Sequence, residues 1–387
     1  MSEGENIEEA VKEAAVKKSF ASAAQDEDIP DVSDEIELLN KNLKIKIKSL
    51  ADRKEKTIVP TIFPGLNRAT RVGGLPMASI MLVHGPSSEG KTVFVLGQAV
   101  SFQRQGHYVY YADAEWTLEK KFAEELGVDI DQLQLIEPDN YEETAMEIER
   151  VIRNFKSMRM KGKISKNRCL LFIIDSITKL VPKSEMAKIK EVGKAYPLNA
   201  ILNTRWLDRL TPLIGIDPVF FIMIAHEKVK LDAEQWDDKF TIKGGKALYF
   251  DSTLVCRIDE RKKIKIDNPN GKKRIEIGTI HRGVIRKNKV GICNEEFSFV
   301  VSNGKGRADI GFDIPRMVID EATLRGKDSP LSRGVGAVWK HDMLPDGQIK
   351  GDDNLLDELR EDEDLLNDII EDLNETAVDA VIEVDDG

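Results

Sequence analysis

The octet Gly85-Pro86-Ser87-Ser88-Glu89-Gly90-Lys91-Thr92 fits the pattern G-x-x-x-x-G-K-[ST], and it restricts the fold more than any other stretch of the chain. The pattern describes a phosphate-binding loop. Consecutive backbone N–H groups wrap a β-phosphate, and glycines let the main chain approach it. A helix that begins there turns its positive end toward the anion. Such a loop sits between a buried strand and a helix, and both flanks comply. Ser79-Ile80-Met81-Leu82-Val83-His84 is a strand-like run, and residues 93–100 are compatible with a helix. The candidate nucleotide-binding residues are Gly85, Pro86, Ser87, Ser88, Glu89, Gly90, Lys91, Thr92 and Val93. Lys91 offers a mobile charge to the β- and γ-phosphates and so counts as catalytic. Thr92 offers a hydroxyl to a metal ion, which makes ATP and Mg²⁺ the expected cofactors.

From about residue 57 onward, short apolar runs alternate with helical patterns, the sign of a parallel sheet with crossover helices. The runs fall at 80–84, 108–112, 133–136, 169–174 and 219–224. Alternating segments at 254–258, 263–266, 274–280 and 297–301 follow, with Asn268-Pro269-Asn270-Gly271 as a turn. The predicted fold class is α/β: a mostly parallel sheet with antiparallel edge strands, a helical N-terminal segment and an acidic C-terminal tail. The corresponding division is 1–56, a polar oligomerisation segment; 57–305, the ATPase core; 306–345, an extension of the core; and 346–387, the tail.

An ATPase of this kind needs a carboxylate at the end of a second strand to hold the metal shell. Cys169-Leu170-Leu171-Phe172-Ile173-Ile174-Asp175 supplies it, so Thr92 and Asp175 are the metal pair. Hydrolysis also needs a group that positions water. Tyr108 to Glu115 ends in two carboxylates, Asp113 and Glu115, at a strand end where ligands bind in such sheets, and Glu115 is the choice.

The chain has 387 residues, of which 41% are hydrophobic, enough for a sizeable core. No apolar run approaches the roughly 18 residues of a membrane span. The N-terminus lacks the look of a signal peptide, and the three cysteines are far apart, so a reducing cytoplasm is expected. Net charge is −11, but residues 346–387 hold 17 acidic against 2 basic side chains, a net of −15, which leaves +4 for residues 1–345. The acidity belongs to the tail, and the body is mildly basic. Leucine and isoleucine in the tail recur at helical spacings, which fits a weakly formed or partner-binding helix. A tethered polyanion would compete with any other polyanion for the lysines of the body, or else only solubilise the chain.

Several segments together resemble the RecA recombinases, in order and at similar spacing. They are Gly73-Gly74-Leu75-Pro76-Met77, the phosphate loop, Asp113-Ala114-Glu115, Leu126-Gly127-Val128-Asp129-Ile130-Asp131, Asp175-Ser176, Pro182-Lys183, Gly244-Gly245-Lys246-Ala247-Leu248 and Lys287-Asn288-Lys289. The resemblance covers about residues 57–305, and the lengths and acidic end outside it mark a divergent, phage-type member. It implies that Glu115 activates the attacking water and that Glu119 and Phe122 face the adenine, although Phe122 is equally readable as a core aromatic. It implies that Lys287 and Lys289 reach the ATP of the next subunit. Two DNA-binding loops are implied. The first lies at about 184–199, with Arg205 and Arg209 on the helix after it. The second, at 227–246, contains Lys228, Lys230, Lys239, Lys243, Gly244, Gly245 and Lys246. By composition alone the second is a solvated loop, since its acidic residues cancel its lysines. Where the family has Asn-Gln as a γ-phosphate sensor, this chain has Ala225-His226, so His226 is the candidate sensor. Phe20-Ala21-Ser22-Ala23 has the F-x-x-A form of a subunit-docking contact. The implied function is an ATP-dependent recombinase that forms filaments on single-stranded DNA and exchanges strands with a duplex. Single-strand-binding and mediator proteins would be further partners, and a membrane would not. The rivals are a hexameric DNA motor or helicase on the same core and a regulatory ATP-binding scaffold without DNA.

Overall fold

Two side-chain sets alternate along the central strands, and they build two cores. In Ser79–Gly85, Ile80 and Leu82 point to one side while Met81 and Val83 point to the other, and every residue of the strand is buried. That is the pattern of a parallel strand covered on both faces. The computed structural model describes residues 50–186, 198–229, 240–267 and 273–383, with the single helical position Ile36. The Phe20-Ala21-Ser22-Ala23 motif, the turn at 268–271, Lys230 and Lys239 lie outside the described residues, as do 187–197 and 230–239 of the two expected DNA loops.

Contacts group the chain into Met1–Glu55 and Lys56–Gly387. In the first unit, Leu50–Asp52 form a short 3-10 turn. The second opens with β1 (Ile58–Val59), α1 (Pro64–Ala69) and β2 (Leu75–Pro76). It continues through β3 (Ser79–Gly85), α2 (Lys91–Arg104), β4 (Tyr108–Asp113), α3 (Lys120–Glu125), β5 (Leu133–Ile136) and α4 (Tyr141–Met160). Then come β6 (Leu170–Asp175), α5 (Lys183–Met186), α6 (Leu198–Ile214), β7 (Val219–Val229), β8 (Phe240–Ile242) and α7 (Ala247–Asp251). The β-rich part is β9 (Leu254–Ile266), β10 (Ile275–Asn288), β11 (Glu295–Asn303) and β12 (Ile310–Phe312). The chain ends with α8 (Ile314–Arg325), β13 (Ser332–Arg333), β14 (Val338–Lys340), β15 (Gln348–Lys350), α9 (Asp352–Glu361) and α10 (Glu363–Glu383).

Among the described residues, ten strands form one sheet in the order β12-β11-β10-β9-β3-β7-β6-β4-β5, with β8 pairing off β7. From β9 to β5 the neighbours are parallel, and from β9 outward to β12 they are antiparallel. The expected segments 254–258 and 263–266 are one strand, β9, because the polar residues between them keep pairing with β10 through register shifts. Helix α2 packs Phe94, Leu96, Ala99 and Phe102 into one core, and α4 and α6 pack Ile148, Ile152, Trp206 and Leu210 into the other. Asn140 caps α4 by accepting from the Glu143 amide, and Glu142 and Glu143 complement its dipole.

The acidic stretch corrects the expectation of a separate tail. Its leucines are core residues: Leu355, Leu359, Ile369 and Leu373 are at most 1% exposed and belong to the same cluster as α1, α2 and α8. The carboxylates sit on the outer faces, with Asp353, Glu361, Asp364 and Glu371 exposed. Arg325 donates to the Leu373 carbonyl and Asn67 to Asn374, which ties α10 to α8 and α1. The helical spacing read in the sequence is therefore a packing stripe, and 346–383 continues the fold of 306–345.

A polar clasp spans the three strands under the phosphate loop. Glu227 on β7 accepts from His84 Nδ1 on β3 at 2.8 Å and from Arg257 Nε on β9 at 2.8 Å. Burial alone would push the Glu227 carboxyl up, but the bonds from His84 and Arg257 outweigh it and hold the group at about 2. A folded-state value below the ordinary 4.5 stabilises the protein above pH 4.5 and loses that contribution as pH falls toward 2. Glu227→Gln should therefore destabilise the protein at pH 7 and flatten the fall in stability between pH 4.5 and 2, as read by urea unfolding across that range. Leu373→Ala should cost about 2–5 kcal/mol in the same assay, whereas Glu371→Gln on the exposed face should change stability by less than about 0.5 kcal/mol.

Candidate active site

The phosphate loop leaves the C-terminal end of β3 and enters α2 at Gly90, which sits at φ 98°. Gly85, at φ 148°, passes so close to β9 that an added Cβ would lie 1.9 Å from the Ile258 carbonyl oxygen. Only glycine fits there. Lys91 Nζ donates to the Gly85 and Pro86 carbonyls at 3.1 and 2.6 Å, so the ammonium is folded back over the loop. Burial lowers its pKa, against the pull of Asp175, Glu227, Glu115 and Glu89.

Asp175 ends β6 beside this loop. Its Oδ2 accepts from Thr92 Oγ1 at 2.6 Å and from Tyr111 Oη at 2.9 Å. Burial raises the Asp175 carboxyl, with Glu115 and Asp113 adding to the effect while the Thr92 and Tyr111 bonds oppose it. One hydroxyl and one carboxylate fit Mg²⁺, which keeps most of its shell as water and phosphate oxygens. Among the described residues no cluster of three or more His, Cys, Asp or Glu side chains forms an all-protein cage.

The two carboxylates at the end of β4 differ in what they contact. Asp113 accepts from the amides of Glu115 and Leu118 at 3.2 and 2.9 Å and so shapes the turn. Glu115 faces the cavity, where its Oε1 accepts from His226 Nε2 at 2.5 Å and Ser176 Oγ at 2.8 Å. Burial works against its ionised form, yet the His226 and Ser176 bonds, with the charges of His226 and Lys179, hold its pKa down. His226 stands at the foot of a hairpin: β7 and β8 pair from Glu227↔Ile242 to Val229↔Phe240, and residues 230–239 join them.

Gly90, Lys91, Thr92, Glu115, Asp175 and His226 line a cavity of about 450 Å³ that also takes in Ser87, Ser88, Val93 and Phe122. Phe122 is 40% exposed, which places it on the cavity wall and not in the core. Pro86 and Glu89 contribute loop backbone, while Glu119 is exposed at the start of α3 and does not line the cavity. Four lining residues went unread in the sequence: Arg261 on β9, Thr279 and His281 on β10, and Val301 on β11. The only signal for the β10 pair is that Thr279 and His281 share one face of an alternating strand.

The remaining candidates lie elsewhere. Lys287 donates to the Tyr249 and Phe250 carbonyls at 2.9 and 2.8 Å and sits over the Tyr249 ring, and Lys289 donates to Phe250. Neither lines the cavity of its own chain. Burial lowers the Lys287 pKa, the Lys289 charge adding to that shift and Asp251 opposing it. Arg205 is exposed, but Arg209 is paired with Glu149 on α4 at 2.8 Å. Lys228 and Lys246 are exposed, and Lys243 is half-buried at the hairpin base, where its amide donates to the His226 carbonyl. Gly244 and Gly245 have φ of 104° and 99° and press against α6, with Asn203 Nδ2 donating to the Gly244 carbonyl at 2.7 Å.

Comparison with known proteins adds an independent line. The RecA N-terminal domain family matches residues 32–308. Protein RecA of Streptomyces ambofaciens is 29% identical over 326 residues, covering 84% of this chain and 79% of that protein. Protein RecA of Clostridioides difficile is 32% identical over 255 residues, covering 66% and 67%. Protein RecA of Symbiobacterium thermophilum is 30% identical over 305 residues, covering 79% of each. A family match across well over half of the chain, on a fold and a phosphate loop of the same type, means that this chain belongs to the RecA recombinase family.

Proposed function

We propose that the chain is a DNA-dependent ATPase that assembles as a helical filament on single-stranded DNA and exchanges strands with a homologous duplex in recombination and repair. The observation that carries this reading is the contact between Glu115 and His226. It joins the candidate water-activating carboxylate to the foot of the hairpin that leads into the expected DNA loop. A displacement of the hairpin moves His226, and with it the partner of Glu115. The ring thereby replaces the usual amide as the link between DNA and hydrolysis.

Glu115 is kept ionised and can accept a proton from water at a carboxylate oxygen. Thr92 and Asp175 would hold Mg²⁺, and the ion would neutralise charge on the phosphates of ATP. Lys91 would release the loop carbonyls to meet the phosphates. Lys287 and Lys289, away from their own cavity, are suited to a neighbour's γ-phosphate, where cations stabilise developing charge. Lys228, Lys243 and Lys246 would neutralise DNA phosphates near the hairpin, and residues 230–239 add Lys230 and Lys239 to that set. Gly244 and Gly245 shape its base. Arg205 is open to DNA, and Arg209 contributes only if it leaves Glu149. A cytoplasmic location fits this role, and no helix among the described residues is long and apolar enough to cross a membrane.

Lys91→Ala should abolish ATP turnover. Glu115→Gln should keep ATP binding while lowering kcat about 10²–10⁴-fold. Near-normal turnover in Glu115→Gln removes that residue from the water-activating position. Lys287→Ala combined with Lys289→Ala should bind ATP but lose DNA-stimulated hydrolysis, and mixing it with Lys91→Ala subunits should restore part of the activity. Failure to complement at every ratio counts against an interfacial site. Electron microscopy with ATP and single-stranded DNA should show helical filaments, and closed rings would support the motor instead.

A further inference from the structure

We propose that His281, on an antiparallel strand outside the parallel core, is a positioning residue of the phosphate loop: its Nδ1–H holds the Glu89–Gly90 peptide in the orientation that phosphate binding requires. The proposal rests on the nucleotide-site reading above and adds a residue to it. His281 Nδ1 lies 2.8 Å from the Glu89 carbonyl oxygen, across 192 residues of sequence. A carbonyl only accepts, so Nδ1 carries the proton. Nε2 lies 3.0 Å from Thr279 Oγ1, and in the neutral ring it accepts from that hydroxyl. The ring stacks on Phe299 with centroids 4.7 Å apart and planes 7° from parallel, and the residue is 3% exposed. Partners on two edges and one face thus fix the imidazole.

The loop is built to meet it. An added Cβ on Gly90 would lie 2.4 Å from His281 Nδ1, and Gly90 holds φ 98°, so glycine is what lets the loop close onto the ring. A trans peptide is planar, with its C=O and N–H pointing in opposite directions. Tethering the Glu89 oxygen to His281 therefore aims the Gly90 N–H away from the ring and leaves that donor for a ligand. His281 and Thr279 line the same cavity as Lys91 and Thr92. Burial and the charge of Arg261 disfavour the imidazolium, in keeping with the neutral Nδ1–H form.

Two substitutions separate the hydrogen bond from the packing. His281→Asn keeps an N–H donor at the Nδ1 position and loses the ring. His281→Phe keeps the stack on Phe299 and loses the donor. Calorimetric titration with ADP should give a Kd about fivefold weaker for His281→Phe and within about twofold of the unmodified protein for His281→Asn. Adenosine, which has no phosphate, should bind both variants equally. ADP affinity unchanged in His281→Phe overturns the proposal, and equal losses in both variants reduce His281 to a packing residue. No ADP binding by the unmodified protein defeats the nucleotide-site reading itself, a result visible before any variant is compared. Nitrogen-15 spectra of the unmodified protein supply the check that needs no variant. A slowly exchanging Nδ1–H is expected for His281, and an Nε2–H tautomer overturns the assignment.

Discussion

A phosphate loop must leave its own amides unpaired, because they are the ligand site, and so it cannot hold itself in shape. In this protein the surrounding sheet does that work. The loop's carbonyls are taken by Lys91 and His281, and its first glycine is pressed against the β9 backbone at Ile258. The clasp of His84, Glu227 and Arg257 locks β7, β3 and β9 at the same end of the sheet. Buried polar groups are costly unless paired, and these pairings turn that cost into a defined loop geometry.

The same end of the sheet also brings the cavity next to the start of the β7–β8 hairpin. Strand order places β7 beside both β3 and β6, so the hairpin that continues β7 starts next to the phosphate loop and next to Asp175. Glu115 arrives from β4, one strand further along. It meets His226 because the ends of β4 and β7 face a common cavity.

The C-terminal part shows how composition misleads when charge and packing occupy opposite faces of one helix. An acidic stretch reads as a solvated appendage, yet α9 and α10 bury a leucine stripe against α1 and α8. Trp339, with its Nε1 donating to Asp352 at 2.9 Å, closes the small sheet β13-β14-β15 against the start of α9.

Much of the fold was legible because it depends on local rules. The octet Gly85 to Thr92 demands a strand before it and a helix after it. Continuous apolar runs mark buried parallel strands, and alternation marks the edge. Lys91 and Thr92 were readable from their fixed places in that loop, and Asp175 from its place at the end of a continuous apolar run. Phe122 stayed ambiguous because helical periodicity does not say which face meets a cavity. Arg261, Thr279 and His281 were invisible because they reach the site through strand pairing, 192 residues from Glu89 in the case of His281. The sequence by itself determined the loop, the strand alternation and the leucine stripe, all set by neighbours within a few residues. Only the tertiary structure decided which carbonyls hold the loop, which carboxylate faces the cavity and where the stripe is buried, because strand order and register bring together residues that no local pattern connects.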